Sequence, residues 1–236
     1  MRNLLITTIG NDNHLGEWLN GERNFDVAIV NYDKHTEDYK RINICKYYNT
    51  FSTFKYPGIV KVFAQEPDLL RYDYYWMPDE DVSLSTEEIN KLFRKMDQFK
   101  IDLGQPSIEK SNVSFPSWDQ FTHRGNTDII YATFIEIMCP CFSHGALMKC
   151  LETFKKSKSG WGLDIVWPHL IGDNKNNIAI FNSIVAKHTR RTGGGMLYNA
   201  LTKERILPSN ERKRLMREYK IRGLNINIHA DKSILY

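Results

Sequence analysis

The sequence predicts an α/β fold with a mostly parallel central sheet covered by helices on both faces, a Rossmann-like α/β/α sandwich. Three observations carry this. Short runs of branched apolar residues alternate with segments of helical spacing. The runs are apolar throughout, as in strands buried on both faces. Each ends in turn-forming or charged residues, the edge where an open parallel sheet binds its ligand.

Residues 3–9 (NLLITTI) and 25–31 (FDVAIVN) read as buried parallel strands, closed by Gly10-Asn11-Asp12-Asn13 and by Tyr32-Asp33. Residues 36–48 are polar with weak helical spacing. Residues 58–70 read as a helix that Pro67 ends or bends. A third strand covers 72–77; Pro78 stops it and holds Met77 extended. Residues 85–100 form an amphipathic helix. Ser85 and Glu88 make a capping box, and Ile89, Leu92, Phe93 and Met96 make the apolar face. Residues 101–108 follow as strand and turn, and 109–128 as a polar, aromatic surface loop. Residues 131–143 are strand-like, 144–157 helical, and 160–171 a loop passing into a short helix. Residues 177–188 are a last apolar strand, followed by a mobile loop at Gly193-Gly194-Gly195. Composition changes only near residue 200, which divides the chain into a domain at 1–200 and a basic helical segment at 201–236.

The chain has 236 residues, 42% hydrophobic and 25% charged, enough for one large α/β domain. No apolar run approaches the roughly 20 residues of a membrane span. The opening MRNLLITTIG is too short an apolar run for a signal peptide, so a cytoplasmic protein is expected. Cys45, Cys139, Cys141 and Cys150 lack zinc or redox spacing and are expected as buried thiols. The net charge of +4 is uneven. Residues 203–222 hold eight Lys/Arg and three Asp/Glu, a balance of +5 that leaves −1 for the rest. A protein-wide nucleic-acid footprint is therefore not expected. Within the basic segment, Ser209 is expected as helix N-cap and Gly223 as the stop. Leu215, Met216 and Tyr219 form a narrow apolar stripe, suited to docking on the body or to peripheral contact with an anionic membrane surface.

The stretch YDYYWMPDEDVSL (72–84) poses the chemical question. Asp79 and Asp81 straddle one residue, so both carboxylates can face one point. Two close carboxylates repel, and a hard divalent ion such as Mg²⁺ relieves them while accepting diphosphate oxygens. D-x-D at a strand end thus reads as a metal–diphosphate site, or as a solvated acidic turn. Glu80 between them is read as an outward or supporting residue. His188 ends the last strand and can complete a metal shell, with Arg190 or Arg191 on phosphate; the alternative is a surface histidine. Glu136 lies inside an apolar run, at a pocket or in an ion pair. Asp164, after Trp161-Gly162, is a general base for a hydroxyl or a helix cap.

Five stretches in order, YDYYWMPDED, DLGQPSI, FIEIMCPCFS, GWGLDIVWP and AKHTR, resemble a domain-of-unknown-function family regarded as glycosyltransferase-like. The resemblance covers about residues 3–195. It implies a GT-A-like fold and an inverting, metal-dependent glycosyltransferase that moves a sugar from a UDP- or GDP-type donor to a glycan or lipid-linked acceptor, in polysaccharide or glycoconjugate synthesis. By that match Asp79, Asp81 and His188 hold Mn²⁺ or Mg²⁺, and Asp164 is the catalytic base. Gly10, Asn11, Asp33, Lys55, Glu80 and Arg190 border the nucleotide donor. Glu136, Trp161 and Gly162 belong to the acceptor side. The loop 109–128 and the basic segment have no counterpart in the family pattern. Two other functions suit the same residues: a silent carbohydrate-binding module, or metal-assisted phosphoester hydrolysis. A nicotinamide dehydrogenase is disfavoured because no G-x-G-x-x-G follows the first strand.

Overall fold

The structure, a computed structural model, describes residues 1–10, 12–32, 45–49, 54–172, 176–191, 193–223 and 228–230. β1 (Asn3–Ile9) pairs in parallel with β2 (Asp26–Asn31) on one side and β4 (Tyr74–Trp76) on the other. β3 (Cys45–Asn49) extends this parallel half beyond β2. Past β4 the order continues with β8 (Cys141–Ser143), β6 (Leu103–Ile108), β9 (Ile178–His188), β7 (Ile129–Ala132) and β10 (Ile228–Ala230). Here β4–β8, β8–β6, β9–β7 and β7–β10 are antiparallel, whereas β6–β9 is parallel. The two longest ladders, β1–β2 and β6–β9 with six residue pairs each, are both parallel. β5 (Val82–Ser83) lies off this path and pairs with the C-terminal end of β9.

Strand alternation explains the layers. Leu4, Ile6, Ala28, Val30 and Tyr75 face one side of the sheet. They pack under α2 (Lys55–Gln65), α4 (His144–Cys150) and α5 (Leu163–Ile171). Leu5, Ile9, Val27, Ile29 and Trp76 face the other side, under α1 (Leu15–Trp18) and α3 (Thr86–Gln98). The sandwich is therefore as expected. In α3 the Ser85 hydroxyl accepts from the Glu88 N–H at 3.2 Å, and Ile89, Leu92, Phe93 and Met96 are all 0% exposed. Each of those side chains contributes roughly 2 kcal/mol by leaving water.

Several elements differ from expectation. Residues 45–48, expected in a stretch of weak helical spacing, belong to the edge strand Cys45–Asn49, and 36–44 lie outside the described residues. The run 131–143 is not one strand. It leaves the sheet after β7 and returns as β8, and of the intervening residues Phe134, Glu136, Ile137 and Met138 line a cavity. Gly195, expected in a mobile loop, opens α6 (Gly195–Lys203). The basic helix α7 (Pro208–Glu218) has Leu207 as N-cap and Pro208 in its first turn, which needs no N–H there; Ser209 does not cap it. It stops five residues before Gly223, with Lys220 left-handed at φ 57° just beyond.

α7 docks on the body. Leu215 is 0% exposed within the core under α5, and Tyr219 and Met216 pack against the body as well. Its apolar stripe is thereby packed on the body. The inward acids are taken by the loop before α5. Glu211 accepts from the Lys158 N–H, the Ser159 N–H and hydroxyl, and the Ser157 hydroxyl at 2.6–3.1 Å. Glu218 pairs with Lys156 and Glu204 with Lys158. Gly162, at φ 92°, fits because a Cβ there would stand 2.8 Å from the Arg212 Cα.

Glu211→Ala should lower stability by about 2 kcal/mol in urea unfolding, because it strands buried donors of the 157–159 loop. An unchanged midpoint would mean that the loop is held without α7. Gly162→Ala should cost more than about 1 kcal/mol, from the left-handed φ and the clash with the α7 backbone; a neutral substitution would show that α7 is free to shift.

Candidate functional site

Two backbone features build the site. β4 delivers Met77, Pro78 and then Asp79-Glu80-Asp81 above the sheet. The Met77 N–H donates to the Pro140 carbonyl and the Asp79 N–H to the Met138 carbonyl, so the turn is tied to the 133–140 loop. The second feature is the pairing of Val82 with His188 across β5 and β9. Thr189 then donates both its N–H and its hydroxyl to the Asp81 carbonyl, at 2.9 and 3.0 Å. This register sets His188 and Arg190 beside the acids, over a hundred residues away in sequence.

Each of the three acids has a different environment. Asp79 Oδ1 accepts from Lys55 Nζ at 2.5 Å. Lys55 also donates to the Met77 and Ile137 carbonyls at 3.1 and 2.7 Å. Of the two readings of Glu80, outward or supporting, it takes the second and turns inward. Its carboxylate accepts from the Gly10 N–H at 2.5 Å, the Tyr32 hydroxyl at 2.6 Å and Arg190 at 3.0 Å. It is a keystone between β1, β2 and β9. Asp81 is buried, with Arg190 Nη1 at 3.3 Å from Oδ2 and His188 Nε2 at 3.6 Å from Oδ1. Burial, with the nearby Asp79 charge adding to it, pushes the Asp81 carboxyl up to about 6; His188 and Arg190 pull it back only in part.

Asp81 Oδ1 has no hydrogen-bond partner among the described residues. His188 Nδ1 lies 2.7 Å from the Phe115 carbonyl, which can only accept, so Nδ1 carries the proton. In the neutral ring Nε2 then presents a lone pair toward Asp81. Two lone pairs facing across 3.6 Å are satisfied by a proton, as a His188–Asp81 ion pair, or by a metal cation, and a carbonyl holding the far nitrogen is how metal-binding histidines are oriented. The pair fits one side of a divalent site. Among the described residues no group of three His, Cys, Asp or Glu side chains converges on one point, since Asp79 is turned to Lys55.

The opposite wall is made by the 133–140 loop and the start of α5. Asp164 stands in the first turn of α5, where its Oδ1 accepts from the Gly162 and Ile165 N–H groups at 3.2 and 3.0 Å. Burial raises its carboxyl to about 7 despite those donors and the nearby Arg212. Gly162, not Asp164, is the N-cap; Asp164 instead serves two N–H groups of the first turn and is poised near neutrality. Between the two walls is a cavity of about 360 Å³, of ligand-binding size.

Asp79, Glu80, Asp81, Lys55, Glu136, Trp161, Gly162, Asp164, His188 and Arg190 all border this cavity. Gly10 reaches it only through Glu80, and a Cβ there would stand 2.7 Å from the Tyr32 ring. Asn11 and Asp33 lie outside the described residues. Sequence reasoning missed Tyr32, Tyr56, Trp118, Tyr198 and Arg212, which also line the cavity. Trp118 was signalled only as part of an aromatic loop. Tyr198 and Arg212 lie in stretches without a motif; Arg212 reaches the site by stacking its guanidinium 5.7 Å over Trp161.

The fold is of the GT-A-like class. The crystal structure of S. aureus TarS 1–349 in complex with UDP-GlcNAc superposes with a TM-score of 0.60 at 11% identity, over 94% of this chain and 66% of that one. A longer S. aureus TarS structure gives 0.54 at 9% identity, over 93% of this chain and 43% of that one. The chain spans less than half of that longer TarS chain. No family model matches the sequence, and no curated protein matches it.

Asp164, with its carboxyl raised from 3.8 to about 7, makes the folded chain bind more protons than the unfolded one between those values. Its contribution to stability therefore falls as pH rises through that window. Asp164→Asn should gain stability relative to wild type in urea unfolding as pH goes from 5 to 8. A difference that stays constant with pH would refute a dehydrated carboxylate there.

Proposed function

We propose that the chain is a metal-dependent glycosyltransferase that moves a sugar from a nucleotide-sugar donor, of UDP or GDP type, to a hydroxyl of a glycan or lipid-linked acceptor. The observation that carries this is one cavity with a cation-demanding pair, Asp81 and His188, on one wall and a near-neutral carboxyl, Asp164, on the other. The fold likeness to TarS, whose structure holds UDP-GlcNAc, supports the reading at the level of fold.

In this reading Asp164 takes the proton from the acceptor hydroxyl as its oxygen attacks the anomeric carbon, and the bond to the diphosphate breaks on the opposite face, with inversion. A base near 7 suits that task, because it is ionised at neutral pH yet still basic enough to accept the proton. Trp161 and Gly162 border the acceptor's approach. A divalent ion, Mn²⁺ or Mg²⁺, held by Asp81 and His188 and completed by diphosphate oxygens and water, would neutralise the charge that gathers on the leaving diphosphate. Asp79 stays with Lys55, whose charge neighbours the phosphates. Arg191, exposed at the cavity rim with its guanidinium 4.9 Å over the Phe115 ring, is available to them as well. Arg190, shared by Glu80, Asp81 and Asp12, steadies the acids.

Asp81→Ala should abolish Mn²⁺-dependent nucleotide binding in a thermal-shift panel of nucleoside diphosphates and their sugars. Unchanged binding would count decisively against the metal assignment. Asp164→Asn should leave nucleotide affinity within about twofold and lower kcat by roughly 10²–10⁴-fold. In the wild type, kcat/KM should fall as pH drops below about 7, the value of Asp164. Phosphoester turnover without any sugar donor would point instead to a hydrolase.

A further inference from the structure

Glu136 is used by nothing in the mechanism above. It is 2% exposed on the cavity wall, and neither carboxylate oxygen has a hydrogen-bond partner among the described residues. A buried carboxyl group left in this way is costly, and it persists where a ligand supplies the missing partner. The side chain is not free to escape. Its own N–H donates to Gln105 Oε1 at 2.6 Å, and Gln105 is 0% exposed. The next carbonyl, Ile137, accepts from both Lys55 Nζ and the Tyr56 hydroxyl at 2.7 and 2.6 Å.

The chemistry of the group narrows the ligand. Burial, with the charges of Asp164 and Asp79 adding to it, holds Glu136 well above the usual carboxylate range. The nearby Ser117 hydroxyl opposes this only in part. A neutral carboxylic acid offers one donor and one acceptor side by side, which suits sugar hydroxyls and not a phosphate, whose charge calls for cations. Position narrows it further. Glu136 lies within electrostatic reach of both Asp79 and Asp164, and all three border the cavity. On the glycosyltransferase reading, a sugar joined to a diphosphate at the first and attacked from the second has to lie between them.

We propose that Glu136 is the sugar-recognising residue of the site, its carboxyl group hydrogen-bonding ring hydroxyls of the transferred sugar. This places it on the donor sugar and not on the acceptor, and it rests on the function proposed above.

The test compares the full chain with Glu136→Leu and Glu136→Gln in the presence of Mn²⁺. The probes are uridine and guanosine diphosphates and their sugar nucleotides. Glu136→Leu should raise Tm, since an unpartnered buried acid is removed. It should weaken the preferred sugar nucleotide about tenfold and leave its nucleoside diphosphate within about twofold. Glu136→Gln keeps a donor and an acceptor and should stay within about threefold for both ligands. A lower Tm with both ligands weakened alike, or no loss for either, overturns the proposal. Should the Leu variant not fold, deoxy-sugar nucleotides on the wild type decide: the hydroxyl facing Glu136 should be worth about tenfold, and no loss at any ring position overturns it. A wild type that binds nucleoside diphosphates but gains nothing from the sugar sinks this inference alone. One that binds no nucleotide sinks the glycosyltransferase reading with it.

Discussion

Three consecutive carboxylates, Glu80 and Asp81 buried and Asp79 partly so, are the constraint on which the rest depends. Each must be answered by positive charge or by donors, or the turn after β4 would not stay folded. Lys55 from α2 answers Asp79; the Gly10 N–H, Tyr32 and Arg190 answer Glu80. Those contacts tie α2, β1, β2 and β9 to one point. Asp81 is the acid answered incompletely, with one oxygen facing a histidine lone pair. That oxygen is the one the proposed divalent ion would meet.

A second dependence runs through the chain's basic end. α6 and α7 are not appended to a finished domain. They supply Tyr198 and Arg212 to the cavity, and Glu211 ties down the loop that carries Trp161 and Gly162. Without this docking the loop before α5 would lose its fixed geometry, and Asp164 stands two residues further on. The geometry of the Asp164 wall and C-terminal packing are therefore one problem, which links stability of a surface helix to the position of a candidate base.

Much of this was legible in the residues because it is local. β1, α3 and the strand 178–188 follow from apolar runs and a capping box, and the structure keeps them nearly residue for residue. The candidate residues Asp79, Asp81, Asp164 and His188 each carried a local oddity: charge at a strand end or beside glycine. Glu136 did too, as an acid inside an apolar run. Other elements were not legible for a physical reason. The run 131–143 is apolar because it lines a cavity and a core together, so periodicity alone reads it as a strand. Glu80 read only as an outward or supporting residue because its three partners come from residues 10, 32 and 190, none near it in sequence.

By itself the sequence determined the layered α/β plan, the acids at the end of β4 and the identity of the groups able to do chemistry, since residue type and spacing dictate these. Only the tertiary structure decided their partners. Pairing of Val82 with His188 chose which acid meets the histidine, and Lys55 chose which acid is neutralised. Docking of α7 turned a basic tail into a wall of the site. Those choices depend on register and packing between distant segments, where free energy is gained only once the whole chain has closed around the acids.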